Sequence, residues 1–142
     1  MPHETRSEVR VRYAETDQMG VVYYANYLVW CEIGRTDFLR ALGHSYAELE
    51  RGGVTLAVSE VSVRYRAPAT YDDVVQVDTR LTDVRSRAMT FAYQMGHASR
   101  GMLADATTSL VALGDDGRVV ALPRALRTLL QDAVAEGFAR GR

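Results

Sequence analysis

The fold is decided by residues 20–43, GVVYYANYLVWCEIGRTDFLRALG, where one long helical pattern precedes a series of strand patterns. From about Tyr23 to Leu42, apolar residues recur at the spacing of a helix face, with charged residues between them. These apolar residues are Leu28, Cys31, Phe38, Leu39 and Leu42. Gly43 suits the position just after the helix end. A helix of about 20 residues spans roughly 30 Å, enough to cross several strands.

Strand patterns lie on both sides of this helix. Before it, Val9, Val11 and Tyr13 alternate with arginines. After it, the sequence predicts four consecutive strands separated by short turns, over 54–66, 74–84, 89–95 and 103–113. This order differs from the regular strand–helix alternation of a parallel doubly wound sheet. It predicts an α+β fold in which a meandering antiparallel sheet wraps around the long helix.

Two shorter helices are predicted beside the strands. Ser45 and Glu48 form a capping-box pattern, which predicts a helix over 46–51. Pro123 suits the first position of a closing helix over about 123–138. The composition shows no repeat and no linker, so we expect a single domain over 1–142.

Composition disfavours several classes of function. The 142 residues are 47% hydrophobic and 25% charged, as in one soluble globular domain. The 17 cations, all arginine, are offset by 18 acidic residues, so the sequence does not favour non-specific binding to nucleic acid or anionic lipid. Cys31 has no partner for a disulfide, and the chain shows neither a signal-peptide pattern nor a long apolar run. We therefore expect a cytoplasmic protein without a membrane span.

Metal and nucleotide sites are disfavoured as well. Three scattered histidines, His3, His44 and His97, and one cysteine provide no ligand pair at short spacing. The sequence lacks the glycine patterns of phosphate loops and dinucleotide-binding folds. We expect no metal and no cofactor, and we expect His97 to be a surface residue rather than a base.

One segment combines a carboxylate with a helix start. Asp17 lies seven residues before Tyr24, where the long helix is predicted to begin. The first N–H groups of a helix can hold the oxyanion that forms when a carbonyl is attacked, and an upstream carboxylate can act as nucleophile or base. The alternative is that Asp17 only closes a turn or accepts a backbone N–H. Spacing alone favours that alternative.

The same segment carries a longer motif. It contains Thr16-Asp17-x-x-Gly20-Val-Val-Tyr-Tyr24-x-Asn26-Tyr27, followed by Glu32-x-x-Arg35-x-Asp37 and then by VRYRAPA at 63–69. In order and spacing this resembles the hotdog-fold acyl-CoA thioesterases, and more closely the 4-hydroxybenzoyl-CoA thioesterase family, which includes bacterial enzymes encoded with the Tol-Pal system. The resemblance covers roughly residues 8–128.

The resemblance implies a sheet wrapped around the long helix, dimers joined edge to edge, active sites at the dimer interface, and often a dimer of dimers. It makes Asp17 the catalytic carboxylate and the backbone N–H of Tyr24 the group that binds the carbonyl oxygen. Around them, Gly20, Val21 and Asn26 become substrate-binding residues. Coenzyme A is then part of the substrate, not a cofactor.

One residue departs from the family pattern, because many relatives have histidine where this chain has Tyr24. A tyrosine with a pKa of about 10 stays neutral at pH 7, so its side chain can donate a hydrogen bond but cannot shuttle protons as imidazole does. A backbone contact to the carbonyl oxygen is unaffected. Other hotdog enzymes use a carboxylate within the helix, which makes Glu32 a reserve candidate; the alternative is that Glu32 pairs with Arg35 or a strand residue.

Arginines are the candidates for the phosphates of coenzyme A, since the guanidinium fork suits phosphate oxygens. Arg64 and Arg66 share one face of a predicted strand, opposite Val63 and Tyr65, and Arg87 follows the next strand. Solvated surface charge is the alternative role for each. The sequence therefore predicts an acyl-CoA thioesterase for small or medium acyl groups, with a carrier-protein thioesterase or a non-catalytic acyl-thioester-binding module as alternatives.

Overall fold

The computed structural model describes residues 3–44 and 46–139. Five strands form one antiparallel sheet: β1 Glu4–Arg10, β2 Thr55–Tyr65, β3 Val74–Val84, β4 Ala88–His97 and β5 Gly101–Leu113. The helices are α1 Asn26–Ala41, α2 Tyr46–Arg51 and α3 Arg124–Ala133. The strand order β1-β3-β4-β5-β2 and the antiparallel pairing confirm the predicted α+β fold.

The core lies between α1 and the central strands. Trp30, Cys31, Phe38 and Leu39 of α1 are fully buried, and α1 packs on β1, β3 and β4. A side chain at Gly34 would place its Cβ 2.3 Å from Thr79 Oγ1, because the helix backbone there rests directly on β3. The long helix thus lies across the sheet, as predicted.

The start of α1 was predicted too early, since Tyr23 and Tyr24 precede the helix. The N–H groups of Asn26, Tyr27 and Leu28 donate to carbonyls three residues back, so a tighter turn leads into the helix. Leu28, expected in the core, is 40% exposed. At the other end Gly43 adopts φ +91° and ends the helix as predicted.

The first strand was placed too late, since β1 ends at Arg10 and Tyr13 is 76% exposed. The Glu15 carboxylate accepts the Arg12 N–H at 2.8 Å and turns 13–15 into one 3-10 turn, which breaks the strand pattern.

The helix predicted over 123–138 is shorter than expected. It ends at Ala133 because Val134 is extended and the Ala135 N–H donates to Leu81 O at the sheet, and Pro123 precedes its first turn. The predicted helix over 46–51 is present, but Ser45, its predicted cap, lies outside the described residues.

Strand β2 differs from the other long strands because it lies at the edge of the sheet, hydrogen-bonded to β5. The apolar face expected from Val63 and Tyr65 is only partly covered here: Val63 packs against the core, whereas Val58, Val61 and Tyr65 are 45%, 39% and 46% exposed. The reason is that α1 packs mainly on β1, β3 and β4, towards the edge of the sheet that is farther from β2. Among the helices of the described residues, none is long and apolar enough to span a membrane.

Candidate active site

The loop that carries Asp17 is a tight turn closed by backbone hydrogen bonds. The Asp17 N–H donates to Val21 O at 2.9 Å, and the Gly20 N–H donates to Asp17 O at 3.0 Å. Gly20 has φ +78°, a conformation that glycine adopts without strain. Thr16 and Val22 pair across the base of the turn. The loop therefore fixes the backbone of Asp17 in the segment that leads into α1.

The Asp17 carboxylate has one occupied oxygen. Its Oδ1 accepts the Met19 N–H at 2.9 Å, so the turn-closing role that spacing favours is present in the structure. Its Oδ2 receives no hydrogen bond from residues 3–44 or 46–139. The side chain is half-buried. A carboxylate fixed through one oxygen and open at the other can attack a carbonyl or accept a proton from water.

The entry to α1 is held from the Asp17 loop. The carbonyl of Glu15 accepts both the Tyr23 N–H and the Asn26 side-chain amide, each at 2.8 Å. Asn26, predicted to bind substrate, is placed here as a brace between the loop and the helix. Glu15 itself is buried.

Two amide groups at this entry remain free. The N–H groups of Tyr24 and Ala25 donate to no acceptor in the part of the chain that the structure describes, whereas those of Tyr23 and Asn26 are both bonded. The N-cap residue, Ala25, makes no side-chain hydrogen bond to the helix. Free amides at a helix start carry partial positive charge and suit a developing oxyanion.

A pocket of about 270 Å³ opens beside these amides. It lies between the Asp17 loop, the start of α1 and the end of β2, and it is largely apolar. Its lining residues are Val21, Val22, Tyr24, Tyr27, Tyr65, Arg66, Ala67 and Pro68. The Val22 N–H donates to Ala69 O at 2.9 Å, which joins two of the walls. Val21 thus lines the pocket as predicted for a substrate contact, whereas Gly20 shapes the loop.

The three predicted arginines are separated into two places. Arg64 and Arg66 line a second depression of about 150 Å³, and Arg66 also borders the apolar pocket. Arg66 Nε lies 2.6 Å from Asp105 Oδ1. Arg87 lies in the turn before β4, whose first residue, Ala88, pairs with Val111 of β5. At the pocket, Tyr65 of β2 pairs with Ala104 of β5. That separation along β5 is about 23 Å, so one chain does not bring Arg87 to the pocket.

Glu32 and His97 lie apart from the Asp17 loop. Glu32 is exposed and borders a groove between α1 and β2, together with Arg35, Val58 and Val61. His97, expected at the surface, is partly buried: its Nδ1 accepts the Ser99 N–H at 3.2 Å, and its Nε2 lies 3.6 Å from Asp73. Its contacts hold the turn between β4 and β5. Within the described residues no three His, Cys, Asp or Glu side chains gather as metal ligands.

Tyr65 is a site residue that the sequence analysis missed, because it was assigned to an apolar strand face. Its hydroxyl donates to the Tyr24 carbonyl at 3.0 Å, and its ring stands edge-on to Tyr27 at 5.0 Å between centroids. The sequence offered one signal for this role: the strand over 54–66 carries a tyrosine, with a hydroxyl that can donate, where an aliphatic residue would serve a purely apolar face.

Comparison with known proteins places this geometry in a family. The family model of the thioesterase-like superfamily matches residues 11–136. YneP of Bacillus subtilis (strain 168) is 37% identical over 111 residues, which cover 78% of this chain and 80% of the relative. The acyl-CoA thioester hydrolase YbgC of Escherichia coli O157:H7 is 34% identical over 108 residues, covering 76% and 81%.

The fold agrees with the sequence comparison. The crystal structure of a DHNA-CoA thioesterase from Staphylococcus aureus superposes with a TM-score of 0.88 at 28% identity, and the match covers 91% of this chain and 89% of the other. These findings confirm the resemblance carried by the motif at 16–27. The chain belongs to the thioesterase-like superfamily of hotdog-fold proteins.

Proposed function

We propose that this acyl-CoA thioesterase hydrolyses small or medium acyl-CoA thioesters at the entry of α1, without a cofactor. One observation carries the proposal. The loop with the open oxygen of Asp17 is hydrogen-bonded to a helix start whose Tyr24 and Ala25 N–H groups are free. A carboxylate and an oxyanion donor are the two parts that acyl transfer needs.

In the proposed reaction, the thioester carbonyl oxygen accepts the Tyr24 N–H, with Ala25 N–H beside it. Attack on the carbonyl carbon converts this oxygen into an oxyanion, which the helix start stabilises. The attacking group is either Asp17 Oδ2 or a water whose proton passes to Asp17. The C–S bond then breaks and coenzyme A leaves as the thiolate, which in the water route takes the proton back from Asp17 and restores its carboxylate. In the first route, water hydrolyses the resulting anhydride and restores the carboxylate.

The pocket supports a small or medium acyl group. Its volume of about 270 Å³ and its apolar walls suit an aromatic ring or a short chain. YbgC is named an acyl-CoA thioester hydrolase, and the S. aureus enzyme is named a DHNA-CoA thioesterase. In this proposal Arg64 and Arg66 bind the phosphates of coenzyme A, with Val21, Gly20 and Asn26 forming and bracing the acyl end of the site. Arg87 joins them only from a neighbouring subunit.

We place the active enzyme in the cytoplasm as a homodimer joined at the β2 edge, with pairing of dimers as the next step. Support comes from the free edge and from the apolar side chains beside it. Val58 and Val61 on β2 and Leu28 and Val29 on α1 are 39–47% exposed and border one groove. A second copy that covers this groove would bury them.

The experiment is thiol release from a panel of aromatic and aliphatic acyl-CoAs by the protein and by Asp17→Asn. We expect activity in the parent and a loss of about 100-fold or more in the variant, the range for one positioned acid–base group. Full activity in Asp17→Asn would reject Asp17 and make Glu32 the next candidate. Release only from acyl-carrier-protein thioesters would shift the substrate class, and no release from either kind would favour a binding module.

A further inference from the structure

Tyr65 reaches from the end of β2 to the entry of α1. Its hydroxyl donates to the Tyr24 carbonyl at 3.0 Å, across 41 residues of sequence. The same carbonyl also accepts the Tyr27 N–H, but at the longer distance of 3.3 Å. Tyr65 therefore provides the shorter of the two hydrogen bonds that hold this carbonyl.

The start of α1 needs a hydrogen bond of this kind because it lacks a side-chain cap. Helix starts are commonly fixed by a Ser, Thr, Asp or Asn side chain that accepts a free N–H. The residue before α1 is Ala25, which has no side-chain oxygen, and no cap hydrogen bond is formed there. A cap at Ala25 would accept the Tyr27 or Leu28 N–H, and both of these already donate to backbone carbonyls here. A hydrogen bond to the carbonyl side fixes the same turn and leaves the amides free.

The position of the Tyr65 hydroxyl is itself well determined. Its ring stands perpendicular to the Tyr27 ring, with an interplanar angle of 89°, and Tyr27 is buried against Trp30 at 4.6 Å between ring centroids. Partial burial raises the pKa of the Tyr65 phenol above its ordinary value, so the hydroxyl stays protonated and able to donate at neutral pH.

We propose that Tyr65 is a positioning residue for the oxyanion site, acting through Tyr24. By holding the Tyr24 carbonyl, its hydroxyl fixes the peptide plane between Tyr24 and Ala25 and thereby the direction of the Ala25 N–H, which lies beside the Tyr24 N–H. The inference rests on the proposed function, in which those N–H groups bind the thioester oxygen. Tyr65 loses no proton and forms no bond to substrate in this role.

The test is Tyr65→Phe, which removes the hydroxyl and keeps the ring against Tyr27. We expect kcat to fall about threefold to tenfold, the range for one net hydrogen bond, with KM changed by less than about twofold. The matched control is Tyr71→Phe, which removes a hydroxyl from a tyrosine that is 58% exposed and packs on Tyr13. That control keeps parental kcat and KM.

A spectroscopic measurement separates positioning from a loss of structure. A ketone analogue of the acyl-CoA, with CH₂ in place of sulfur and a ¹³C carbonyl, binds without being hydrolysed. In the parent protein we expect its carbonyl infrared band to move to lower frequency on binding, because hydrogen bonds from the free amides weaken the C=O bond. In Tyr65→Phe we expect a smaller shift.

Parental kcat with an unchanged band shift would overturn the inference, and so would a reduced kcat with an unchanged band shift. The role of Asp17 is tested separately, by the activity of Asp17→Asn. The infrared measurement does not depend on that result, because it uses protein in which Asp17 is unchanged. Full activity in Asp17→Asn rejects the proposed role of Asp17, whereas the band still decides the role of Tyr65.

Discussion

The two ends of α1 are built in opposite ways. At the C-terminal end, the Gly43 N–H donates to Arg40 O at 2.9 Å and the His44 N–H donates to Leu39 O at 3.0 Å. With Gly43 at φ +91°, this is a Schellman motif, which satisfies the last carbonyls of the helix. At the N-terminal end, the Tyr24 and Ala25 N–H groups have no acceptor among the residues described.

The difference separates stability from function within one helix. A helix end that only supports the fold gains from satisfying each polar group, because an unpaired one costs free energy. An end that binds a ligand must leave donors unpaired until the ligand arrives, and it is held by other means. Here those means are the Glu15 carbonyl and the Tyr65 hydroxyl. Substitutions at the open end should alter catalysis, and those at the closed end should alter stability.

The largest effect is expected at the open end, from Asp17→Asn. Asparagine keeps an oxygen that accepts the Met19 N–H, so the turn survives and only the charge and basicity are lost. We expect kcat to fall about 100-fold or more while Tm stays within about 2 °C of the parent. Stopped assays of thiol release and calorimetry measure the two. A large fall in Tm would mean that Asp17 serves the fold instead.

Gly43→Ala tests the closed end. No atom of residues 3–44 or 46–139 lies within 4 Å of the added Cβ, so the change acts through the left-handed backbone. We expect the free energy of unfolding to fall by about 1–2 kcal/mol, with kcat per folded molecule unchanged. Denaturant titration and the thiol-release assay check this. A kcat that falls along with stability would show that the two ends of α1 are not independent.

Arg66→Ala sharpens the comparison beside the open end, where Arg66 borders both the apolar pocket and the depression near Asp105. If it binds a phosphate of coenzyme A, KM for acyl-CoA should rise about threefold to tenfold, as for one net hydrogen bond, because solvent screens the charge of this partly exposed side chain. The KM for an N-acetylcysteamine thioester, which lacks phosphates, should not change. Arg118→Ala, at an exposed turn, is the control. An equal rise for both thioesters would contradict phosphate binding.

The smallest effect is expected from Arg40→Ala at the closed end. Arg40 lies in the last turn of α1, and its NH1 pairs with Asp37 Oδ1 at 3.0 Å. The Arg40 and Asp37 side chains are 64% and 41% exposed, so solvent screens the pair, and we expect a loss of about 0.5 kcal/mol or less. Activity should be unaffected. Measuring unfolding at low and high salt checks this, because the loss should shrink as salt rises.

Sequence periodicity predicted the fold better than it predicted the site. The helix predicted from about Tyr23 to Leu42 and the four later strands follow from which residues share a face, and that pattern is local. Whether a face is covered depends on the rest of the molecule. Tyr65 and Val61 alternate as a buried strand would, yet β2 is an edge strand. Helix α1 packs mainly on β1, β3 and β4 and contacts β2 through the Tyr27–Tyr65 ring pair.

The motif supplied site candidates where it is contiguous, and these stay predictions; candidates dispersed along the chain were harder to group. Asp17 and Tyr24 lie within eight residues, and the resemblance aligned both. Arg87 was grouped with Arg64 and Arg66 by residue type alone, and the register of β4 and β5 separates them. The contact from Tyr65 to Tyr24 spans two elements that are distant in sequence, so no local pattern indicates it.

The most direct test of the open helix end is the amide signal of Tyr24. The chain has eight tyrosines, so ¹⁵N-tyrosine labelling gives a simple spectrum, in which Tyr24→Phe assigns the signal. We predict that the ketone analogue of the acyl-CoA moves the Tyr24 amide proton downfield, and that an analogue with CH₂ in place of the carbonyl does not. Equal changes with both analogues, or none with the ketone, would contradict the account.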